Sequence, residues 1–573
     1  MDDKPWLSHY DKGVPHSLAP YPSKPLFSFL EEAAAKYPDH PCTIFQGRVI
    51  SYHEMNDLTD RMAAGLASIG VKQGDRVGLF MPNIPQFVIA FYGILKAGGV
   101  VVATNPQYTP RELIHQLLDS GIELMIVMSK FYKTIKDVQA ETKLKTLIVT
   151  NVKEQLPPLT ALAFTLRKEE QDGHRVTLAQ GDLWMKDLLD KHTAAERPKI
   201  NIVADDMALL QYSGGTTGLS KGAIATHGRL VANTLQVKAW FLDMREGQEV
   251  TLLAIPLYHV YGMLAGMALA MTCAGSLVMV PDPRVLKDVL GNIHKYHPTI
   301  FPAVPALYNA INNHPYVKAG RIHLNSIRAC ISGSAPLLHE TKVEFERLTG
   351  GKVFEGYGLS EAPTATHCNP LLGANKEGSI GLPLPDVECR LISLEDGVTD
   401  LGLGTDQIGE LAIRGPQVFK GYWNMPTETN NTLQADPAGG GPWLFTGDIA
   451  RMDEEGYFYI VDRKKELIKA SGFQVWPREI EEVLAANPKV REVGVAGIPD
   501  AYRGETVKAW IVLKQGETAT EDELKDWCKD KLARFKVPTQ IEFRNELPKT
   551  TVGKVLRREL VRQHKEKMAA AKE

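Results

Sequence analysis

The stretch Tyr212-Ser-Gly-Gly-Thr-Thr-Gly-Leu-Ser-Lys-Gly-Ala223 carries four glycines, two adjacent threonines and a lysine, just after the apolar run Met207-Ala-Leu-Leu210. These are the groups that bind polyphosphate. Gly214, Gly215 and Gly218 let the backbone turn with positive φ and bring amide N–H groups onto an anion, while Thr216 and Thr217 add hydroxyls and Lys221 adds charge. The apolar run leading to Ser213 reads as a strand, so the loop hangs from the end of a sheet. It is not a Walker A loop, which ends in Gly-Lys-Ser/Thr; here Lys221 stands between Ser220 and Gly222.

Four further segments follow in order: Tyr258-His-Val-Tyr-Gly262; Glu355-Gly-Tyr-Gly-Leu-Ser-Glu361; Trp443-Leu-Phe-Thr-Gly-Asp448 with Asp462-Arg-Lys-Lys-Glu-Leu-Ile-Lys469; and Leu547-Pro-Lys-Thr-Thr-Val-Gly-Lys554. Together with the loop they resemble the ordered motifs of the adenylate-forming superfamily: acyl-CoA synthetases, peptide-synthetase adenylation domains and firefly luciferase. The resemblance covers the chain from about residue 30 to about residue 560 and is strongest to bacterial long-chain fatty acid:CoA ligases.

The resemblance implies ATP and Mg²⁺ as cofactors and coenzyme A as co-substrate. Joining a carboxylate to a thiol is uphill, and an acyl-adenylate supplies the leaving group; fixed donors and a metal must then offset charge on the phosphates. The resemblance assigns the phosphates to Ser213–Gly218 and Lys221, and Mg²⁺ to Thr216 and Glu361. It assigns adenine to the face of Tyr357 between Gly333-Ser334-Ala335 and Glu355-Gly356-Tyr357-Gly358, and the α-phosphate to Ser360. Asp448 and Arg463 are assigned to the ribose, and Lys554 to the bridge between carboxylate and phosphate. The catalytic set is thus Lys554, Glu361, Thr216 and Lys221, with Lys465 as hinge and Lys469, Gly472 and Gln474 along the CoA channel. Tyr258, His259, Tyr261, Gly262 and Met263 are expected to line the acyl pocket. Long-chain relatives can carry a tryptophan gate four residues after this histidine, and Met263 stands there instead.

The elements that position these groups follow from periodicity. From Phe29 to Thr150 strands such as Arg76–Met81 alternate with helices such as Met55–Gly70 and Gln86–Ala97, which implies a doubly wound parallel sheet. Alternation resumes from Ala208 to Gly356, with strands expected near Leu252–Pro256, Leu277–Val280, Thr299–Val304 and Arg328–Ser332, implying a second such sheet. After Ser379 come short β segments, Val387–Ser393 and Gly409–Arg414, which fit a small barrel-like subdomain. Beyond Arg463 lies a compact α+β tail, which the resemblance implies is a small mobile C-terminal domain. The expected division is an N-terminal domain 1–462, with α/β parts 1–206 and 207–378 and a β-barrel part 379–462, and a C-terminal domain 463–573.

Bulk properties fit this class. At 44% hydrophobic and 23% charged residues, with net charge -3, nothing favours nucleic acid. The six cysteines form no CxxC pair, and the N-terminus shows no signal peptide, so a reducing cytosol is expected. Val260–Val280 has the length of a membrane span but reads as a buried helix followed by a strand. Leu156–Arg167 is apolar beside the polar Lys168–Arg175, which leaves open a packed helix or an interfacial one giving weak peripheral contact at the inner membrane face. A homodimer is also left open.

The reading is an ATP-dependent fatty acid:CoA ligase for medium to long chains, with fatty acid as partner. An aryl-acid:CoA ligase, a fatty acyl-AMP ligase serving a carrier protein, and a non-catalytic nucleotide-binding homologue stand as alternatives.

Overall fold

The computed structural model describes residues 4–213, 220–335, 337–436, 439–470, 473–500, 504–550 and 553–570. Its first sheet has seven strands in the order Leu183–Trp184, Thr146–Thr150, Leu124–Met128, Arg76–Phe80, Val100–Ala103, Met207–Ser213 and Lys221–Thr226. All neighbours are parallel except the last pair. The strand Val100–Ala103 is buried at every residue, as a parallel strand covered on both faces must be.

The second sheet runs Arg48–Ser51, Pro41–Phe45, Ser276–Met279, Val250–Leu253, and is carried on by bridges of Ile300 to Thr251 and Ala329. Ala329–Ser332, Lys352–Leu359, Ala362–Cys368 and Leu382–Pro383 complete it. The expected strand Thr299–Val304 is reduced to isolated bridges at Ile300 and Ala303. Pro302 explains this, since it has no N–H to give a ladder.

Between the sheets lies helix Pro85–Lys96, buried at every position. Its core cluster draws Val77 and Leu209 from one sheet and Phe45 and Leu277 from the other. A helix buried all round must satisfy its polar groups internally. Lys96 does so by donating to Asn56, Thr59 and Asp60, each at 2.8 Å.

The sheets do not divide at residue 206. Met207–Ser213 and Lys221–Thr226 belong to the first sheet, and Pro41–Phe45 with Arg48–Ser51 to the second. Periodicity shows that strands alternate with helices, but not which sheet edge each strand joins.

Val260–Val280 is a π-helix Gly262–Ala268 running into Leu269–Met271, then strand Ser276–Met279. Among the described residues no helix is long and apolar enough to cross a membrane. Helix Pro158–Arg167 buries no residue and exposes Leu159 by 83%, Leu162 by 57% and Leu166 by 75%. Phe164 turns inward, its ring edge-on to His174 at 5.4 Å.

The expected small β region is a five-stranded antiparallel sheet, Glu388–Ile392, Gly409–Arg414 and Trp443–Met452, with Leu433–Gln434 and Phe458–Arg463 along the far edge of the last. The C-terminal sheet pairs Val490–Asp500 with Gly504–Leu513, which also holds Gln540–Phe543 and touches Ile468–Ala470. Helices Pro477–Ala485, Glu521–Lys529 and Arg557–Ala570 accompany it.

One glycine fixes the hairpin that carries Tyr357 and Glu361. The register of Lys352–Leu359 against Ala362–Cys368 shifts between Tyr357 and Leu359, and a Cβ on Gly358 would lie 1.7 Å from the carbonyl oxygen of Thr364. Gly358→Ala should therefore destabilise by about 3 kcal/mol or more. Gly291→Ala, in helix Leu286–Tyr296 with nothing within 4 Å, should stabilise by about 0.5–1 kcal/mol. Denaturant unfolding of both variants checks the contrast; similar midpoints would refute it.

Candidate functional site

The centre is Asp448, 2% exposed on strand Trp443–Met452. Register places Arg463 of Phe458–Arg463 opposite it, and Arg463 Nε lies 2.9 Å from Asp448 Oδ1. Tyr357 Oη donates to Asp448 Oδ2 at 2.6 Å. Burial, reinforced by Asp448, pushes the Tyr357 hydroxyl far up, so it stays a donor. Tyr357 thus anchors the expected ribose acceptor through its hydroxyl, a contact the adenine-stacking assignment does not contain.

Lys554 reaches the same place from the C-terminal domain. Its loop lies against helix Pro305–Asn312, where a Cβ on Gly553 would meet Ala306 at 3.7 Å. Thr550 Oγ1 accepts the Lys554 amide at 3.1 Å, and the Thr550 amide donates back at 2.8 Å. Burial, then the Arg463 charge, push the Lys554 ammonium down to about 8. Three residues on, Arg557 pairs with Glu466 and with Glu481 at 2.5 Å and lies 3.5 Å from Asp462.

Ser213 and Lys221 are register partners at the end of the antiparallel pair Met207–Ser213 and Lys221–Thr226. Gly214, Gly215, Thr216, Thr217 and Gly218 lie outside the described residues, and Ser213 is placed by its backbone alone. Lys221 pairs with Glu428, and its ammonium sits 5.2 Å from the Tyr422 ring centre. Tyr422 Oη donates to Glu361 Oε1 at 2.7 Å. Ser360 is half-buried next to Glu361.

Gly333, Ser334 and Ala335 follow strand Ala329–Ser332, with Ser334 at φ 71°. Glu355 accepts the Leu337 amide at 3.3 Å, and burial lifts its carboxyl to about 7. Lys465 is exposed in the turn between Phe458–Arg463 and Ile468–Ala470, and Lys469 is exposed as well. Gln474 pairs with Lys469 through the backbone, and Gly472 lies outside the described residues.

A pocket opens beside this centre. Its walls include Val237, Trp240 and Phe241 from the end of helix His227–Trp240, with His259, Val260, Tyr261 and Ala265. Gly333, Ser334, Gly356 and Gly358 also line it, so it reaches the backbone expected around a nucleotide. Among the expected acyl-pocket residues, Tyr258, Gly262 and Met263 are not in its walls. The chain turns there into the π-helix, which puts Met263 into the core at 1% exposure and Gly262 against Pro256, whose oxygen a Cβ would meet at 2.2 Å.

His259 is held neutral, its pKa pushed down to about 4 by burial, and its Nδ1 accepts the Tyr261 amide at 3.3 Å. Sequence reasoning missed Trp240 and Phe241, whose signal was two adjacent aromatics closing a helix. It also missed Tyr422 and Glu428, which become neighbours of Lys221 only through tertiary pairing.

The residues present fit Mg²⁺ held with a nucleotide. Among the described residues no group of three His, Cys, Asp or Glu could enclose a metal. A single carboxylate, Glu361, beside a lysine at the foot of a glycine-rich loop suits a hard ion that takes most of its ligands from phosphate and water.

Comparison with known proteins agrees with this geometry. The family described as AMP-binding enzyme matches residues 30–423, and its AMP-binding enzyme C-terminal domain matches residues 479–554. A long-chain-fatty-acid--CoA ligase of Bacillus subtilis (strain 168) is 42% identical over 99% of both chains. One of Escherichia coli O157:H7 is 37% identical over 97% of this chain and 98% of its own. An anthranilate CoA ligase solved with anthranoyl-AMP superposes with TM-score 0.82 at 26% identity, covering 96% of this chain and 98% of that one. O-succinylbenzoate coenzyme A synthetase from Bacillus subtilis, solved with ATP and magnesium ion, gives TM-score 0.76 at 26% identity over 94% of this chain and all of its own. On matched motifs, full-length similarity and shared fold, the chain belongs to the AMP-binding enzyme family.

Proposed function

We propose that this chain is an ATP-dependent fatty acid:CoA ligase. A carboxylate oxygen attacks the α-phosphorus as the bond to pyrophosphate breaks; the CoA thiolate then attacks the acyl carbon and AMP departs. The observation that carries the reading is the pocket: among the described residues no Asp, Glu, Lys or Arg lines it, and its walls include Gly333–Ser334, Gly356 and Gly358, beside Tyr357 and its partner Asp448. An apolar tail and a reacting head are thereby given separate surroundings.

Lys554 supplies the mobile charge, bridging carboxylate and phosphate. Asp448, held by Tyr357 and Arg463, offers acceptors to the sugar, and Lys221 offers a cation to the outer phosphates. Bound through Glu361 and Thr216, Mg²⁺ would offset phosphate charge. Lys465 serves as the hinge, and Lys469, Gly472 and Gln474 border the CoA channel in the second half-reaction.

A screen of acetate, aryl acids and C6 to C18 fatty acids with ATP and CoA should give the highest kcat/KM with medium to long fatty acids; benzoate or coumarate ahead would overturn the substrate assignment. Lys554→Ala should abolish ATP–pyrophosphate exchange while sparing thioester formation from supplied acyl-AMP.

The pH profile tests the same lysine. Its pKa in the free protein is lowered to about 8, so the ammonium is mostly present at pH 7 and lost as pH rises through 8. kcat/KM for ATP in the exchange reaction should therefore fall above about pH 8. Lys554→Arg, which cannot deprotonate in this range, should have a lower plateau without that fall.

The face formed by Leu159, Leu162 and Leu166, next to Arg167 and Lys168, supports peripheral contact with an anionic lipid surface. Sedimentation with anionic liposomes should be lost on Leu159→Glu with Leu166→Glu while turnover of a soluble acid is kept. Unchanged sedimentation would rule out this helix as the contact.

A further inference from the structure

The segment Phe419–Trp423 joins two of the charged groups expected to face a nucleotide's phosphates, Lys221 and Glu361. Phe419 N donates to Glu361 O at 2.8 Å, and Lys420 N to Ile224 O at 2.9 Å. Ile224 N donates to Gly421 O at 2.9 Å and Trp423 N to Gly222 O at 2.8 Å, with an antiparallel bridge between Ala223 and Tyr422. The segment thus runs as an added strand along Lys221–Thr226. Its end is pinned by Trp423, whose Nε1 donates to Asp119 O at 3.1 Å and whose ring lies 5.2 Å from the Arg76 guanidinium.

Tyr422 stands at the centre and uses both of its chemical parts. Its hydroxyl donates to Glu361 Oε1 at 2.7 Å, and its ring lies beneath the Lys221 ammonium at 5.2 Å. The ring is itself set by Phe419, edge-on at 4.9 Å, and the backbone amide of Tyr422 donates to Thr429 Oγ1 at 2.9 Å. A side chain held at so many points cannot follow a moving carboxylate; it fixes one. Oε1 accepts from this neutral donor, and among the described residues no hydrogen bond or ion pair engages Oε2, the oxygen that faces a cation in this proposal.

We propose that Tyr422 is a positioning residue for magnesium–nucleotide binding: its hydroxyl orients the Glu361 carboxylate toward the metal, and its ring seats Lys221 for the phosphates. This rests on the assignment of Glu361 and Lys221 under the proposed function. The two parts separate by mutation, since phenylalanine keeps the ring and loses only the hydroxyl.

The test is equilibrium binding of ATP to the full-length protein by calorimetry, in saturating Mg²⁺ and in EDTA, without fatty acid or CoA. Tyr422→Phe should weaken binding about tenfold in Mg²⁺ and raise the Mg²⁺ concentration at half-effect, while changing binding in EDTA by less than about twofold. Tyr422→Leu should weaken binding under both conditions, because the ring is lost as well. A Tyr422→Phe protein that matches wild type in Mg²⁺, or that loses equally in EDTA, overturns the inference. Wild-type protein that binds ATP equally with and without Mg²⁺ instead overturns the Glu361 assignment beneath it.

Discussion

A carboxylate that is 2% exposed has to be paired, and the way Asp448 is paired determines how the parts of this protein meet. One partner, Tyr357, comes from the bulged hairpin of the second sheet; the other, Arg463, comes from the last residue of strand Phe458–Arg463. Neighbouring residues of a strand point to opposite faces, and this strand uses both. Arg463 turns toward the site, while Asp462 accepts the Arg478 amide at 2.7 Å and lies 3.5 Å from Arg557, both in the C-terminal domain. The pair Asp462-Arg463 therefore builds the site on one side and docks the small domain on the other.

Two arginines carry these contacts: Arg478 donates to Asp462 and to Ile460 O at 2.8 Å, and Arg557 gathers the carboxylates. Arg557 is surrounded by Asp462, Glu466 and Glu481, and burial raises the carboxyls of Asp462 and Glu481. Such a cluster holds only while the central charge is permanent, which a guanidinium guarantees and an ammonium does not. Lys554, three residues earlier, has the opposite character: burial and Arg463 make its charge costly until an anion arrives. A permanent charge anchors the loop, and the costly one is the charge that the proposed function gives to the ligand.

Much of this was legible before any coordinates, for physical reasons that differ by region. Strand Gly409–Arg414 was readable to the residue because alternation and flanking glycines marked both ends. Asp448, Arg463 and Lys554 were grouped through motif resemblance, and the structure brings them together. Three things were not readable. Sheet membership of Met207–Thr226 depends on edge pairing across the chain, which periodicity does not encode. Met263 faces the core because a π-helix shifts the helical phase by one residue, which a 3.6-residue pattern cannot reveal. Tyr422 and Glu428 become neighbours of Lys221 only when Phe419–Trp423 is laid beside Lys221–Thr226.

Under the proposed function, the electrostatics of the pocket also bear on how an acid would enter it. Among the described residues its walls hold no Asp, Glu, Lys or Arg, and His259, the titratable group most suited to meeting a carboxylate, is neutral at any pH well above 4. Carrying an ionised carboxylate down such a cavity would leave it unpaired at a cost of several kcal/mol, whereas each methylene buried gains about 0.8 kcal/mol. The favourable arrangement is therefore tail inward and head at the rim. At that wall Gly333 and Gly358 bring backbone close, and Lys554 is set among Arg463 and Asp448, near Tyr357, the residue between the pocket-lining Gly356 and Gly358. Orientation thus follows from the absence of charge inside the pocket and its concentration outside, without any residue that grips the head from within.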